Sequence, residues 1–168
     1  MGKMEMICTI IKCLSKFLPG HSRKLDNKLI SACRNRRVDE VKSLLEEGAD
    51  VNAWDAEKNT PLIIVSSKYN SHRPLDDDSF RIVELLLGYG LEREGARRIR
   101  INEQNYKGNT ALMMASRNNA KRIVKTLCNT RGIDLNMKNG KGYTALMRAK
   151  KHGFSEIVRI LLDHGAQE

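Results

Sequence analysis

The chain has 168 residues, of which 40% are hydrophobic, 30% are charged and only 5% are aromatic, and its net charge is +10. This composition excludes an intrinsically disordered chain, and the length is enough for one domain with a sizeable core. Because aromatic residues are so few, the core must consist of Leu, Ile, Val, Met and Ala, which favours helices over a β-sandwich or barrel.

The positive charge is confined to one half of the chain. Residues 93–168 hold 16 of the 30 basic residues but only 6 of the 20 acidic ones, whereas residues 1–92 hold 14 of each. Any binding that depends on this charge is therefore expected in the C-terminal half.

The first predicted element is an amphipathic helix over residues 4–18. Its apolar residues recur at helical spacing along one side, and they are Ile7, Ile10, Ile11, Leu14, Phe17 and Leu18. We interpret residues 1–25 as this helix and a linker. Three roles stay open for it: a cap over the edge of the next domain, a membrane-surface anchor, or a helix that binds a partner or a second copy. Lys12 interrupts the apolar run, so we expect no secretory signal.

From residue 26 onward the sequence repeats itself. Three segments align, each with Asn and Thr eight residues apart, and they read NAWDAEKNTP from Asn52, NEQNYKGNTA from Asn102 and NMKNGKGYTA from Asn136. Each Thr is followed by Leu two residues later, by a helical stretch and by an Ile-Val pair. A fourth unit precedes these three, with Asn27 in the position of the Thr.

The local chemistry of each unit predicts two helices. Each Thr can cap a first helix, and Pro61 suits the first helical position. The second helix has one broad apolar face, which in the second unit consists of Ile82, Val83, Leu86 and Leu87. Glycines follow the second helices, where a left-handed cap is expected, and they are Gly48, Gly90 and Gly165. Because each unit leaves an apolar face uncovered, the units must stack.

These motifs resemble the ankyrin repeat, as seen in T-P-L at 60–62, I-V-x-L-L-L at 82–87 and G-A-D-V-N-A at 48–53. The resemblance covers residues 26–168 and implies an all-α solenoid of helix–turn–helix units with projecting β-turn loops. It places the units at about 26–53, 54–103, 104–137 and 138–168. The function that it implies is a protein–protein interaction module, with an adaptor or pathogen effector as the alternative.

No chemistry beyond binding is predicted. The chain has no P-loop, dinucleotide-binding or HExxH motif, and its four histidines are scattered over different units. We therefore expect no enzymatic activity, no cofactor and no metal.

The second unit departs from the repeat pattern in two places. Residues 69–79 are an insertion between its helices, and the acidic residues 76–78 suit the start of the next helix. A second insertion, residues 91–101, follows that helix and contains Arg93, Arg97, Arg98 and Arg100. Two interpretations stay open for it: a basic finger that binds a partner, or a long neutral loop.

Ankyrin proteins bind through their loop tips and the exposed side of their first helices. Carried over to this sequence, the predicted contacts are Trp54, Tyr106, Lys107, Asn109, Arg117, Asn118, Lys138, Lys141, Tyr143, Lys151 and His152. The same face also includes Glu57, Asn59, Lys68 and Gln104. Its basic residues predict a partner with an acidic surface. A solvated charged face, and binding of nucleic acid or anionic lipid, stay open as alternatives.

Two smaller expectations concern chemistry and location. The cysteines form no CxxC pair, which favours small buried hydrophobes in a reducing, cytoplasmic setting, and they are Cys8, Cys13, Cys33 and Cys128. Delivery into a host cell stays open should the protein come from a pathogen. Leu44 with residues 50–52 resembles the context in which ankyrin asparagines are hydroxylated by a host oxygenase, so Asn52 is a candidate for that modification.

Overall fold

The computed structural model describes residues 21–68, 77–91 and 98–167. Within these ranges the chain forms helices and no strands, and the helices are α1 (His21–Asn35), α2 (Val38–Glu47), α3 (Pro61–Lys68), α4 (Asp77–Leu91), α5 (Ala111–Arg117), α6 (Lys121–Cys128), α7 (Ala145–Lys151) and α8 (Ser155–Asp163). None of them is both long and apolar enough to cross a membrane. The amphipathic pattern over residues 4–18 lies outside the described residues.

The helices alternate between two layers. The inner helices α1, α3, α5 and α7 pack side by side, and so do the outer helices α2, α4, α6 and α8. Each inner helix also packs against the outer helix that follows it. Helix–turn–helix pairs therefore stack in chain order, and the predicted all-α solenoid is confirmed.

The threonine caps predicted from the repeats are present. The hydroxyl oxygens of Thr60, Thr110 and Thr144 accept hydrogen bonds from backbone N–H groups three residues later, at 3.4, 3.3 and 3.1 Å. Each cap satisfies one N–H group that the first turn of a helix leaves without a partner. Pro61 is the first residue of α3, as predicted, because a proline loses no helical hydrogen bond there.

A single apolar cluster runs through the stack between the two layers. Ile82, Val83 and Leu86 of α4 are 0% exposed, as are Ile157 and Leu161 of α8. The apolar face predicted for the outer helices is therefore the buried face. Burying one such side chain stabilises the fold by roughly 1.5–3 kcal/mol.

Two of the three predicted left-handed glycine caps are correct, and the third is wrong. Gly48 and Gly165 have φ angles of 99° and 91°. Gly90 instead lies inside α4, which continues to Leu91. Its carbonyl accepts a hydrogen bond from the N–H of Ile99 at 3.1 Å, and a Cβ on Gly90 would come within 2.4 Å of the Ile99 Cβ. A glycine is required here for close approach of the returning chain.

The first unit also differs from the sequence-based prediction. Helix α1 begins at His21, so the predicted boundary at residue 26 falls inside a helix. Asn27 is therefore an exposed residue within α1 and does not act as an N-cap. In the second unit, Asp77 and Asp78 form the first turn of α4, where carboxylates interact favourably with the helix dipole.

Candidate protein-binding surface

Three five-residue loops precede the inner helices α3, α5 and α7, and they share one turn. We call them loop 1 (residues 55–59), loop 2 (105–109) and loop 3 (139–143). In each, the first residue donates its N–H to the carbonyl of the fifth, at 3.1, 3.1 and 3.0 Å. The fourth residue has a positive φ, and these residues are Lys58, Gly108 and Gly142.

The first residue of each loop organises the turn with its side chain. Oδ1 of Asp55, Asn105 or Asn139 accepts hydrogen bonds from two backbone N–H groups of its own loop, at 2.8–3.0 Å. Asp and Asn present the same oxygen at this position, so either residue builds the turn. The sequence-based prediction did not identify this role, although an Asp or Asn stands at this place in all three aligned segments.

The loops are joined to one another by hydrogen bonds. Tyr106 donates its N–H to the Glu57 carbonyl at 3.1 Å, and Gly140 donates to the Lys107 carbonyl at 3.1 Å. The side-chain amide of Asn105 also donates to Asn59 Oδ1 at 2.8 Å. The loops therefore form a braced row, in which the tip residues project from a fixed backbone.

A second set of asparagines, three residues before each loop, links each unit to the next by hydrogen bonds. Oδ1 of Asn52, Asn102 and Asn136 accepts a backbone N–H from the corresponding segment of the next unit, at 2.7, 2.9 and 2.8 Å. This explains why Asn recurs eight residues before each Thr. Asn52 is only 7% exposed and also donates to the Arg98 carbonyl. An oxygenase would therefore reach Asn52 only after local opening of the chain, and its hydroxylation stays a prediction.

Most of the predicted contact residues lie on the exposed side of this row. Tyr106 and Trp54 are 75% and 61% exposed. Tyr143 is half-buried, with Lys151 Nζ 5.1 Å from its ring centroid. His152 stacks on Phe154 at a centroid distance of 5.7 Å. The remaining exposed members are Lys107, Arg117, Lys138 and Lys141.

Two predicted contact residues serve the fold instead. Asn109 is 7% exposed, and its Oδ1 accepts hydrogen bonds from Asn139 at 2.8 Å and from Arg148 at 2.7 Å. Asn118 is half-buried and donates its side-chain amide to the carbonyls of Ser66 and Ser67. Asn109 and Asn118 therefore hold neighbouring units together. The spacing of residues along the sequence could not distinguish them from residues that project from the surface.

The predicted basic finger is described only in part. Arg93 and Arg97 lie outside the described residues. Arg98 and Arg100 are exposed, and their backbone is held by Asn52. The Arg100 guanidinium lies 3.8 Å from Glu103, so its charge is partly balanced within the chain.

Arg148 is a further basic residue of this surface that the prediction missed. It lies four residues after Thr144, where the second and third units have Ile64 and Met114, and it is half-buried. Its Nε is buried and donates to no atom of the described residues, whereas Nη2 donates to Asn109. Burial lowers the pKa of Arg148, the nearby charge of Arg117 lowers it further, and Tyr143 opposes the shift. A basic residue at a helical position where the second and third units carry Ile64 and Met114 was the sequence signal that could have revealed it.

Outside this surface, many cations are paired. The ion pairs between described residues are Arg34–Asp55, Arg37–Glu40, Lys58–Glu103, Arg81–Asp78, Arg100–Glu103, Lys121–Glu156 and Arg122–Asp77. Within the described part of the chain, no ion pair is formed by the six cations that we call the basic face: Lys107, Arg117, Lys138, Lys141, Arg148 and Lys151.

The thiols are packed away from this surface. Cys33 and Cys128 are free and buried, and burial raises the pKa of their thiols to about 12 and about 11. Cys8 and Cys13 lie outside the described residues. In residues 21–68, 77–91 and 98–167 no cluster of three His, Cys, Asp or Glu side chains could hold a metal ion.

Two family models match the chain: ankyrin repeats (3 copies) over residues 75–168, and ankyrin repeats (many copies) over residues 29–87. The chain therefore belongs to the ankyrin-repeat family. Its repeats are generally protein–protein interaction modules and are typically non-enzymatic. No curated protein matches the chain.

Proposed function

We propose that this protein binds a protein partner with an acidic surface through loops 2 and 3 and the exposed side of α5 and α7. The observation that carries the proposal is the basic face, whose six cations form no ion pair among the described residues. Like charges held close together repel one another, and carboxylates of a partner would relieve that repulsion.

The aromatic residues of the loops support the same proposal. Tyr106 at the tip of loop 2 exposes 75% of its surface, and Trp54 beside loop 1 exposes 61%. Aromatic residues that are exposed in the free protein are frequent anchors of protein interfaces. Tyr143 of loop 3 brings an aromatic ring directly beside the Lys151 ammonium. Charge would steer the partner to this surface, and the rings would supply the apolar contact area.

The braced loops favour binding as well. Each loop is held by its own Asp or Asn and by hydrogen bonds to the next loop. A backbone that is already ordered loses little conformational entropy when a partner docks. This supports a rigid interface in which most of the adjustment is made by side chains.

The wider roles inferred from the sequence remain predictions. They are an adaptor or effector that also uses residues 4–18, and a binder of nucleic acid or anionic lipid through the basic half. An intracellular, reducing location is part of the proposal and is supported by the buried thiols of Cys33 and Cys128.

A charge-matched capture experiment tests the proposal. The face variant changes Lys107, Arg117, Lys141 and Lys151 to Glu. The control variant changes four exposed cations away from the basic face to Glu, namely Lys42, Lys125, Arg131 and Arg159. Both variants have the same net charge, so non-specific electrostatic binding changes equally. Each variant is used to capture proteins from cell lysate at about 150 mM salt, and the bound proteins are quantified by mass spectrometry.

We expect the control variant to retain a discrete protein that the face variant loses by at least about tenfold. Cross-linking of that protein should join an Asp- or Glu-rich segment to loop 2 or loop 3. Equal capture by both variants would contradict the proposal, as would capture dominated by nucleic acid that the face variant loses.

A further inference from the structure

One position of the inner helices carries a cation in three of the four units. Seven residues after the Thr of each unit, or after Asn27 in the first unit, stand Arg34, Ser67, Arg117 and Lys151. Arg34 lies beside the first residue of the next loop, and its Nη2 is 2.5 Å from Asp55 Oδ2. This carboxylate neutralises Arg34 and is itself only 7% exposed, so the first pair is closed within the chain.

For Arg117, the position that corresponds to Asp55 carries no acidic residue. The next loop there is loop 3, and its first residue is Asn139. Oδ1 of Asn139 accepts the N–H groups of Lys141 and Tyr143, as a carboxylate would. The second oxygen of Asp55 is replaced in Asn139 by an amide nitrogen, which donates to Asn109 at 2.8 Å. The turn is kept, and the negative charge that faces Arg34 has no counterpart at Arg117.

Arg148 adds a second guanidinium at the same place. Its Nη2 shares the Asn109 oxygen with Asn139, and its buried Nε donates to no atom of the described residues. Arg117 and Arg148 stand on the inner helices α5 and α7, which pack side by side, and the charge of Arg117 lowers the pKa of Arg148. Two like charges therefore lie on neighbouring helices, and neither forms an ion pair with a carboxylate of the described residues.

We propose that Arg117 and Arg148 form a binding site for one carboxylate, supplied by an Asp or Glu side chain of the protein partner. That side chain would form an ion pair across the interface, as Asp55 does with Arg34 within this chain. The inference rests on the proposed function and adds the residue pair and the ligand group. A planar carboxylate suits a guanidinium because two parallel N–H···O bonds form at once.

Each test variant introduces the residue that stands at the equivalent position of another unit of the same protein. Arg148→Met introduces the residue found at Met114, and Arg117→Ser introduces the residue found at Ser67. Asn139→Asp introduces the residue found at Asp55 and supplies the missing carboxylate within the chain.

Two matched controls accompany these variants. Asn35→Asp makes the same charge change at an exposed residue of α1, outside loops 2 and 3. Lys125→Met removes one exposed positive charge from the outer helix α6.

The probe is a fluorescein-labelled peptide of ten glutamates, with binding followed by anisotropy at about 150 mM salt. We expect Arg148→Met, Arg117→Ser and Asn139→Asp each to weaken binding by about five- to tenfold. Lys125→Met and Asn35→Asp should change it by less than about twofold. Thermal unfolding of every variant is measured in parallel, so that loss of binding is counted only for folded protein.

The outcomes separate this inference from the proposed function. If the wild type binds the peptide but the three site variants behave like the two controls, the basic face acts as bulk charge and the carboxylate site is wrong. If the wild type does not bind the peptide, the acidic-partner proposal itself is contradicted. A labelled decathymidylate that binds more tightly, with the same sensitivity to Arg148→Met, would overturn the carboxylate in favour of a phosphate.

Discussion

Loop 1 and loop 3 have the same backbone and opposite electrostatics. Both close with the same hydrogen bonds, and each is organised by the Oδ1 atom of its first residue. In loop 1 that residue is Asp55, which pairs with the cation of the preceding inner helix. In loop 3 it is Asn139, and Arg117 forms no ion pair with a carboxylate of the described residues.

The comparison indicates how a repeat protein can separate fold from recognition. The turn needs one side-chain oxygen, which Asp and Asn both provide, whereas charge balance needs a carboxylate, which only Asp provides. A change between these two residues therefore alters the charge of the surface and keeps its shape. The first half of the chain is neutral, and the second half carries the whole excess of ten positive charges. Asp55 in loop 1 and Asn139 in loop 3 are a local example of this difference.

The largest expected effect tests whether the two halves share one packing scheme. Leu86 of α4 and Leu161 of α8 are both 0% exposed and occupy equivalent positions. Changing either to Ala should reduce the free energy of unfolding by about 2–5 kcal/mol, because a cavity remains in the core. Urea unfolding monitored by circular dichroism measures this.

The control for that prediction is Leu162→Ala, since Leu162 is 44% exposed. It should reduce the free energy of unfolding by less than about 1 kcal/mol. A loss below about 0.5 kcal/mol for Leu161→Ala would contradict the shared packing and place Leu161 outside the core.

The next effect compares the stability cost of the same substitution at two equivalent glycines, one in loop 2 and one in loop 3. Gly108 and Gly142 both have positive φ, at 72° and 77°. A Cβ on Gly108 would lie 2.6 Å from the backbone N of Gly140, whereas one on Gly142 meets nothing within 4 Å. Gly142→Ala should destabilise by about 1–2 kcal/mol through backbone strain alone. Gly108→Ala should add about 1–3 kcal/mol for the clash.

Thermal unfolding of the two glycine variants checks the difference, and near-UV circular dichroism shows whether the loop tyrosines are disturbed. Equal destabilisation would mean that loops 2 and 3 are not held against each other as the structure has them.

A smaller effect is expected when loop 1 is given the chemistry of loop 3. Asp55→Asn keeps the turn and removes the partner of Arg34, so the free energy of unfolding should fall by no more than about 1 kcal/mol. Arg34 then becomes available, and binding of the ten-glutamate peptide should rise by about two- to threefold. Anisotropy titration measures the gain. A loss of binding would show that an unpaired inner-helix cation is not sufficient to attract carboxylates.

The smallest effect concerns acid. Burial of Asp55 opposes its ionisation, but hydrogen bonds from Asn59, Arg34 and Glu57 outweigh burial and hold its pKa below the usual value. A lowered pKa means that the stabilisation is present above the unfolded-state value of about 3.9 and is lost as the pH falls through the folded-state value. The wild type should therefore exceed Asp55→Asn in free energy of unfolding at pH 7 but not near pH 2.

Urea unfolding of both proteins across this range tests the sign. An advantage of the wild type that grows as the pH falls would contradict the assignment of the Asp55 pKa. Asn139→Asp provides the converse case: if its carboxylate pairs with Arg117 as Asp55 pairs with Arg34, the same acid sensitivity should arise in loop 3.

The sequence alone was enough to predict the family, the helix caps and the buried face of the outer helices. Each of these depends on residues a few positions apart, such as Thr144 with Met147, or Ile82 with Leu86. Spacing along one helix determines which side chains share a face, so a repeated pattern of this kind can be interpreted without coordinates.

The errors and omissions share a different cause, because they depend on residues that are distant along the chain. Gly90 does not end α4 because Ile99 returns across it. Asn109 is buried because Asn139 and Arg148, in the next unit, use its oxygen. Arg117 forms no ion pair among the described residues, and the residue of the following loop that corresponds to Asp55 is Asn139. Stacking brings these groups within hydrogen-bond distance, and spacing within a single unit contains no information about which side chain its neighbour will present.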